Sequence, residues 1–587
     1  LGKEKQQPVL KLSAKDSSQL MGLFYDSRSQ TTPGDGVGSN NWVVSGAKSA
    51  SGKPMLADDM HLVLSAPAIF YQNHLSAPGE YEVTGVSFPG VPGVTVGHND
   101  KIAWGFTNFG PDVMDLYVEK PNPDDPHQFE YNGKWENAKV EKQVIKVKGE
   151  EPVEFDTLIT RHGPIVNSVL RTVGTTAEIN RQIAFRWTAS EGSDEIAAAL
   201  LMNKASNWTE FKDALRHFTA PGQNVVYGDV NGNIGYQACG KVPIRKNGSG
   251  LLPVPGWTDE YEWTSYVPFD DLPSLYNPPE GYIATANNKV IDDSYPYHVT
   301  YEWADPYRVD RIKEMIESKD KLTLEDMEKM QSDFKNLQAE RMRDVWLPIL
   351  EKGQWSENER QALDTLKEWM NNPFDSADEV GPSIYHAVLN ATMKHVFEPQ
   401  IGEDLFMDSL ITGLTTNSLD AVLYGTNQKW FAGTDNSVEK SLTAGFKDGV
   451  ALLEEQMGDD QDDWQWGNIH TISVPHNLGG MEGLGMLLNA GPYPYGGSHV
   501  TVGAASYSKQ LHPYEARLGA PWRFAVDLGD LDHGADVMTM GASGQPGSEH
   551  YNDQMQLWLD GEYKTMYFKP EDVEAHAQDT MILDVGK

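Results

Sequence analysis

The chain has 587 residues, of which 39% are apolar, and it carries 16 Trp, 24 Tyr and 19 Phe. This length and composition exclude a disordered protein and predict a large folded core. The formal charge is −38, from 47 Lys and Arg against 85 Asp and Glu, which disfavours nucleic acid and anionic membrane surfaces as partners. The single cysteine, Cys239, excludes an intrachain disulfide framework and a cysteine-rich zinc site.

Neither a membrane-spanning segment nor a signal peptide is predicted from these residues. A spanning helix needs about 20 consecutive apolar residues, and no such run occurs. The first residues, LGKEK, are not followed by the apolar stretch that a signal peptide requires. A single cysteine fits a reducing compartment and equally fits a large exported bacterial protein, so composition leaves the compartment open.

The first half of the chain is predicted to be rich in β-strands. Residues 1–38 are polar, and the Gly- and Ser-rich run SRSQTTPGDGVG at their end predicts an exposed spacer. From 39 to about 300, short β-rich segments alternate with Gly and Pro turns. Two short helices are predicted between strands, at 193–202 and 207–218. The predicted strands include 42–44, 81–86, 94–96, 153–160 and 225–236.

The pattern becomes helical near Pro306. Apolar residues recur at steps of three and four after Thr323, a predicted N-cap. Residues 356–359 (SENE) match a capping box, which opens a further helix. Strand-and-turn sequence resumes at 464. The chain therefore predicts one β-rich core over 39–587, interrupted by a helical insertion at about 308–420.

Several familiar catalytic motifs are absent. The sequence has no HExxH zinc-protease helix, no GxSxG elbow, no Walker A loop and no dinucleotide fingerprint. The acidic stretch 456–463 lacks EF-hand spacing and predicts a solvated loop. The histidines at 386, 395, 470 and 476 are predicted to be structural.

Ser39 opens the strand-like run 39–44 (SNNWVV) directly after the spacer. If the Gly38–Ser39 bond were cut, Ser39 would carry a hydroxyl nucleophile and a free amine base on one residue. Taken alone, this pattern is weak, because most serines at loop-to-strand junctions are turn residues.

Further motifs resemble the β-chain of the penicillin acylase family. They are 39–42 (SNNW), 89–105 (PGVPGVTVGHNDKIAWG), 112–117 (DVMDLY), 161–165 (RHGPI), 224–232 (NVVYGDVNG), 285–288 (TANN) and Arg308. The resemblance covers 39–587 and implies an N-terminal nucleophile (Ntn) amidohydrolase, made as a precursor that cuts itself into α- and β-chains. It implies an α+β fold, a four-layer αββα sandwich of two antiparallel sheets.

The resemblance also implies the catalytic residues. Ser39 would be the nucleophile, and its α-amine would be the base. The backbone N–H of Asn108 and the side chain of Asn287 would stabilise the oxyanion. His61 matches a residue that contacts the nucleophile's hydroxyl and amine, and Arg308 matches an arginine near the active site. Read as bare residues, Asn287 is a turn residue, His61 is structural and Arg308 forms a surface ion pair. The residue that orients His61 is left open, with Glu549 and His550 conceivable.

The resemblance implies a calcium site and an acyl pocket. Asp112, Met114 and Asp115 coincide with positions that bind structural calcium, Met114 through its carbonyl, although one expected aspartate near Trp303 is missing. Leu62 and Val96 stand where relatives specific for phenylacetyl groups have aromatic pocket walls, and Phe106 replaces a small residue. An aliphatic lining suits a straight acyl chain at least as well as a phenyl ring. No organic cofactor is expected.

The expected reaction is hydrolysis of an N-acyl amide through an acyl-enzyme on Ser39. The first hypothesis is cleavage of the side-chain amide of penicillins, and the second is an N-acyl homoserine lactone acylase. The third is a catalytically silent binding protein with the same fold. The family has about two hundred residues before its nucleophile, so a partner α-chain from the same precursor is expected, in a secreted or periplasmic protein.

Overall fold

The computed structural model of the protein describes residues 38–77, 79–167, 181–403, 405–407, 416–425, 428–507 and 514–583. The predicted spacer lies outside these residues, except for Gly38, which begins the first strand.

The described residues form a mixed α and β structure. The strands are β1 (Gly38–Val44), β2 (Met55–Val63), β3 (Tyr71–Ala77), β4 (Tyr81–Ser87), β5 (Val96–Asn99), β6 (Ile102–Asn108), β7 (Met114–Glu119), β8 (Pro121–Asn122), β9 (Asp125–Tyr131), β10 (Lys134–Asn137), β11 (Lys139–Ile145), β12 (Val153–Thr160), β13 (Gly163–Pro164), β14 (Gln182–Trp187), β15 (Gln223–Asp229), β16 (Ile234–Cys239), β17 (Pro243–Arg245), β18 (Val254–Pro255), β19 (Trp263–Tyr266), β20 (Ser274–Tyr276), β21 (Tyr282–Thr285), β22 (Thr471–Val474), β23 (Ala490–Pro494), β24 (Ser506–Tyr507), β25 (Ala516–Gly519), β26 (Trp522–Asp527), β27 (Asp530–Met538) and β28 (Lys564–Tyr567). The α-helices are α1 (Glu195–Lys204), α2 (Trp208–Leu215), α3 (Tyr307–Glu317), α4 (Leu324–Met330), α5 (Leu337–Leu350), α6 (Glu357–Trp369), α7 (Gly381–Ile401), α8 (Thr416–Leu423), α9 (Val438–Met457), α10 (Trp466–Ile469), α11 (Gly485–Leu488), α12 (Met555–Asp560) and α13 (Pro570–Ala575).

Two large sheets face each other at the centre. One is a mixed sheet in the order β23-β22-β25-β2-β26-β27-β28, in which β1 pairs with β2 and β21, and β24 pairs with β25. The other is antiparallel, in the order β20-β16-β15-β6-β5-β4-β3. Apolar side chains fill the space between them, with Val43 and Met60 from the first sheet and Ala103 and Val226 from the second.

Helices cover the outer face of each sheet. Helices α3 and α4 pack on the first sheet, where Trp42 and Val44 of β1 meet Ile312 and Met327. Helices α1 and α2 pack on the second sheet. The order of layers is therefore helix, sheet, sheet, helix, which confirms the predicted α+β Ntn-hydrolase sandwich.

A helical region with its own core follows the outer layer. Helices α5, α6, α7 and α9 bury an apolar cluster that includes Trp346, Leu389 and Phe446. The insertion was expected to end near 420, but helix α9 continues to Met457. Within the described residues, no helix combines the length and apolar composition needed to cross a bilayer.

Candidate active site

Ser39 lies in β1, a strand that is hydrogen-bonded on both sides and buried along its whole length. Side chains alternate between the two faces of a strand. Ser39 and Asn41 share the face of Val43, toward the second sheet, whereas Asn40 shares the face of Trp42, toward α3 and α4. The predicted nucleophile is therefore fixed at the start of a buried strand and faces the space between the sheets.

The Gly38–Ser39 peptide is held by two side chains from distant parts of the chain. The Ser39 N–H donates to Asn287 Oδ1 at 2.7 Å, and the Ser39 hydroxyl donates to the carbonyl oxygen of Gly38 at 2.5 Å. A Cβ on Gly38 would lie 2.9 Å from Arg308 Nη2 and 3.0 Å from Asn287 Oδ1. Only glycine leaves room for this arrangement at position 38.

Arg308 is buried in the first turn of α3 and binds neutral oxygens. Its Nη1 donates to the Ser39 carbonyl oxygen at 2.8 Å and to Asn40 Oδ1 at 2.7 Å, and its Nη2 donates to Asn287 Oδ1 at 3.0 Å. Burial lowers the pKa of Arg308 to about 10, and the charges of Asp59 and Asp305 offset this only in part. The guanidinium stays protonated at neutral pH, beside the predicted nucleophile.

Asn287 and Asn108, the predicted oxyanion donors, are in contact. Asn287 has φ +64°, a left-handed conformation that is uncommon for a residue other than glycine. Its Nδ2 donates to the Asn108 carbonyl oxygen at 3.0 Å. The Phe109 N–H donates to Gly222 O at 3.1 Å, which makes Phe109 and Gly222 a hydrogen-bonded pair. Hydrogen-bonded and non-hydrogen-bonded pairs alternate along an antiparallel ladder, so the preceding pair, Asn108 and Gln223, is not hydrogen-bonded. The Asn108 N–H therefore points away from β15.

A buried chain of hydrogen bonds joins β1 to these donors across the two sheets. The Thr285 hydroxyl donates to Asn41 Oδ1 at 2.6 Å and is 2.7 Å from the Thr107 hydroxyl. Asn224 Nδ2 donates to Thr107 Oγ1 at 3.2 Å and to the Asn108 carbonyl oxygen at 3.0 Å. The strand of the predicted nucleophile and the strand of the predicted oxyanion donor are thereby fixed to each other.

His61 contacts Asp59, and its side chain does not share the face of Ser39. In the β1–β2 ladder His61 pairs with Gly38 while Ser39 pairs with Met60, which places the two side chains on opposite faces. His61 Nε2 is 2.7 Å from Asp59 Oδ2, and Asn40 Nδ2 lies 3.2 Å away. Burial lowers the pKa of His61 despite the opposing effect of Asp59, so the ring is neutral at neutral pH. Contact of His61 with the hydroxyl stays a prediction.

Leu62 and Val96, two of the three predicted pocket residues, lie between the sheets, on the side that Ser39 faces. Phe106 lies on the outer face of the second sheet, because its strand neighbours Gly105 and Thr107 contact the first sheet. Val96 and Phe106 are buried, and Leu62 is partly buried. Phe106 packs on Phe218, with ring centroids 5.7 Å apart. The two aliphatic residues thus lie on the side of Ser39, whereas Phe106 packs on the opposite face of its sheet.

The predicted calcium ligands surround an arginine. Arg245 donates from Nε and Nη2 to the Asp115 carboxylate at 2.9 to 3.1 Å, and from Nη2 to the Asp112 carbonyl oxygen at 3.1 Å. Met114 begins β7 and pairs with Trp187. Among the described residues, no three His, Cys, Asp or Glu side chains converge as metal ligands. These residues do not fit a calcium site.

Three groups of site residues were missed by the sequence analysis. Asp59 orients His61, and the signal was its position two residues before the histidine on one strand face. His550, which the sequence analysis considered for orienting His61, instead contacts Asp553, at 2.8 Å between Nδ1 and Oδ2. Asn40 and Asn41 were signalled by two amides in an otherwise apolar strand. Arg245 and Thr285 gave no local signal, because their partners are distant in sequence.

The site can perform nucleophilic chemistry on a carbonyl group. It joins a serine at the start of a buried strand, a buried cation and convergent amide groups, within a helix–sheet–sheet–helix sandwich. This combination defines the class of Ntn hydrolases.

Comparison with known proteins identifies the family. The penicillin amidase family model matches residues 1–575, and the chain belongs to this family of amide hydrolases. Acyl-homoserine lactone acylase QuiP of Pseudomonas aeruginosa is 28% identical, with 91% of this chain and 67% of that protein covered. The penicillin acylase 2 proenzyme of Pseudomonas sp. (strain SE83) is 30% identical, with 92% and 68% covered.

A solved structure supports the fold. The thermostable penicillin G acylase from Alcaligenes faecalis superimposes with a TM-score of 0.72 at 22% identity, with 93% of this chain and 100% of that chain covered. The chain is thus an acylase of the penicillin amidase family, as its motifs predicted.

Proposed function

We propose that the protein cleaves its own Gly38–Ser39 bond and that the liberated Ser39 is the nucleophile of an N-acyl amide hydrolase. The observation that carries this proposal is the surroundings of that peptide. The Ser39 hydroxyl donates to the carbonyl oxygen of Gly38, and the Ser39 N–H donates to Asn287. Arg308 donates to the carbonyl oxygen of Ser39. The term proenzyme in the name of a relative supports a processed precursor.

The proposed self-cleavage is an acyl shift followed by hydrolysis. Ser39 Oγ attacks the carbonyl carbon of Gly38, the C–N bond to Ser39 breaks, and the hydroxyl proton passes to the leaving nitrogen. The resulting ester joins Gly38 to Ser39 Oγ. Water then hydrolyses the ester, which releases the Gly38 carboxylate and regenerates the hydroxyl beside a free amine.

The same residues would carry out turnover. The free α-amine has an ordinary pKa of about 8, so it can take the hydroxyl proton directly or through a water. Attack on the substrate carbonyl builds an oxyanion, which the Asn108 N–H and Asn287 Nδ2 would stabilise, each donor contributing about 3–4 kcal/mol. The amine product leaves with the proton, and water then attacks the acyl-enzyme with the same base assisting.

Ser39→Ala in the full precursor tests this scheme. The variant should stay uncleaved and lose at least about 10⁴-fold in kcat, because the nucleophile and base are lost together. Intact mass and N-terminal sequencing report cleavage, with SNNW expected as the new terminus of the wild type. Ser45→Ala, one residue beyond β1, is the matched control. Normal turnover by Ser39→Ala would overturn the assignment of Ser39 as nucleophile, and a cleaved wild type without turnover would leave only a binding protein of this fold.

The acyl group of the substrate is proposed to be a straight aliphatic chain. Leu62 and Val96 offer aliphatic surface on the side of the nucleophile, and several similar proteins are named acyl-homoserine lactone acylases. N-acyl homoserine lactones are therefore the first candidates, and penicillins are the alternative that the other relatives' names support.

Comparison of kcat/KM for octanoyl, phenylacetyl and phenoxyacetyl amides separates these substrates. We expect the octanoyl amide to be favoured by about tenfold or more, since a poorly matched apolar group costs about 1–3 kcal/mol in such a pocket. Equal rates for the three amides would remove the pocket argument while leaving the catalytic scheme intact.

The partner in this scheme is an α-chain from the same precursor. Exposed apolar side chains on α1, namely Ile196, Leu200 and Leu201, offer a surface for it. A secreted or periplasmic location is part of the same proposal.

A further inference from the structure

Arg245, on β17, lies between Asp112 and Asp115, the two predicted calcium-binding aspartates near the start of β7. It holds both oxygens of Asp115 and the carbonyl oxygen of Asp112, and its Nη2 lies 3.4 Å from Asp112 Oδ1. The side chains of Arg245 and Asp115 are only 5% and 4% exposed. This is a buried, bidentate ion pair, the geometry in which arginine binds a carboxylate most strongly.

Neighbouring groups close the space around this ion pair. The Trp263 indole N–H donates to Asp115 Oδ2 at 2.5 Å, so both Asp115 oxygens already accept hydrogen bonds. Gly250 has φ +83°, and a Cβ there would lie 2.4 Å from Asp112 Oδ2 and 2.6 Å from Arg245 Nη2. No oxygen of Asp115 is left for a further cation without breaking these bonds.

We propose that the Arg245 guanidinium is the structural cation of this site and that the protein needs no calcium there. Calcium takes six to eight oxygen ligands at about 2.3–2.6 Å. Here both Asp115 oxygens and the Asp112 carbonyl oxygen accept hydrogen bonds from nitrogen donors, and a divalent ion beside the guanidinium would add repulsion between like charges. The arginine supplies its charge as part of the chain, so the site cannot be emptied by a chelator.

The position of the ion pair gives this cation a structural task. The segment that leaves β6 after Asn108 reaches Asp112, whose N–H donates to Val299 O at 2.8 Å. Arg245 then fixes the far end of this segment to β17. It thereby restrains the connection that follows the predicted oxyanion donor.

Thermal unfolding with and without calcium tests the proposal. The Tm of the wild type should be the same in excess EGTA and in added calcium, and calorimetry should detect no binding at these residues. A calcium-dependent rise in Tm that disappears in Asp115→Asn would overturn the proposal.

Arg245→Met tests the role of the guanidinium directly. It leaves Asp115 buried without its cation, so we expect a Tm several degrees below that of the wild type in EGTA. Arg186→Met is the matched control, because Arg186 stacks on the same Trp263 ring at 4.4 Å but binds Glu262 near the surface. An Arg245→Met protein as stable as Arg186→Met would contradict the proposal. If Arg245→Met does not fold, the calcium test on the wild type still decides.

Discussion

Two buried arginines of this protein, Arg245 and Arg308, are bound by opposite kinds of group. Arg245 is held by the Asp115 carboxylate, which outweighs the effect of burial and raises its pKa. Arg308 is equally buried, but its acceptors are a backbone carbonyl and two amide oxygens, and burial lowers its pKa. The first charge is neutralised by a bound carboxylate, whereas the second is compensated only in part, by Asp59 and Asp305.

This difference matches the two roles proposed here, a structural cation for Arg245 and a catalytic cation for Arg308. A buried ion pair with complete hydrogen bonding contributes little field beyond itself. A buried guanidinium bound only by neutral oxygens keeps its field, and negative charge that develops nearby is stabilised by it. The catalytic reaction is therefore expected beside Ser39, where the charge of the Arg308 guanidinium is not fully compensated.

Among the substitutions that test this comparison, replacement of Arg308 is expected to lower activity most. Arg308→Met should lower self-cleavage and kcat/KM by about 10²–10³-fold, the range for a lost electrostatic donor. Its Tm should fall less than that of Arg245→Met, because neutral oxygens are left behind and not a buried carboxylate. Cleavage assays, kinetics and thermal unfolding of both variants check this. Arg308→Lys, which keeps charge without the planar fork, should lie between wild type and Arg308→Met. A large loss of Tm with normal turnover would reverse the two assignments.

Gly38→Ala tests the fit of the scissile peptide against Arg308. The new Cβ would lie within 3.0 Å of Arg308 and Asn287 and must displace one of them. Overpacking of this kind costs about 1–3 kcal/mol, so we expect cleavage slowed by about tenfold or more. Time courses of cleavage measure the rate. Gly192→Ala, where a Cβ meets open space, is the control. Molecules that do mature should show normal kcat, since residue 38 is then gone, and unchanged cleavage would indicate that Arg308 has room to move.

Replacement of His162 is expected to have the smallest effect, a change in thermal stability that depends on pH. Like Arg245, His162 is a buried cationic group held by carboxylates, but its charge can titrate near neutral pH. It lies between Glu119 and Glu262, at 2.8 and 3.1 Å, stacked on Tyr117. Burial alone would lower its pKa, but the two carboxylates outweigh this and raise it. The imidazolium therefore stabilises the fold fully below the unfolded pKa of about 6.5, and this contribution is lost as pH rises through the folded value.

The Tm difference between wild type and His162→Gln should accordingly shrink as pH rises from acidic to alkaline. Thermal unfolding across this range measures it. A difference that is constant with pH would mean that the ring is neutral in the fold.

Local signals in the sequence predicted local structure well. The strand 153–160 was predicted with its observed ends, and the N-cap at Thr323 and the capping box at Ser356 were predicted because their bonds span only three residues. In the structure Thr323 also forms a capping box, with Asp326. The predicted segment 225–236 proved to be two strands, since the Asp229 carboxylate accepts bonds from Asn231 and Asn233 and turns the chain between them.

Features that depend on tertiary contacts were less accessible. Helix α9 was not predicted, because Gly445 and Gly449 weaken helix propensity. In the structure they pack against Thr392 and Val388 of α7, where a Cβ would lie 2.3 and 2.8 Å from its neighbours. Likewise, candidate site residues could be named by resemblance, whereas the ion pair of Arg245 with Asp115 could not, because it joins residues 130 positions apart.

The location of β1 has a consequence for the lifetime of the mature protein. Ser39 is 5% exposed, and Asn40 and Asn41 are fully buried between two partner strands. Aminopeptidases and acetyltransferases need an extended, accessible chain end. A chain terminus created inside a sheet would be protected from both aminopeptidase cleavage and acetylation, so the α-amine of Ser39 would stay free without a separate protective protein.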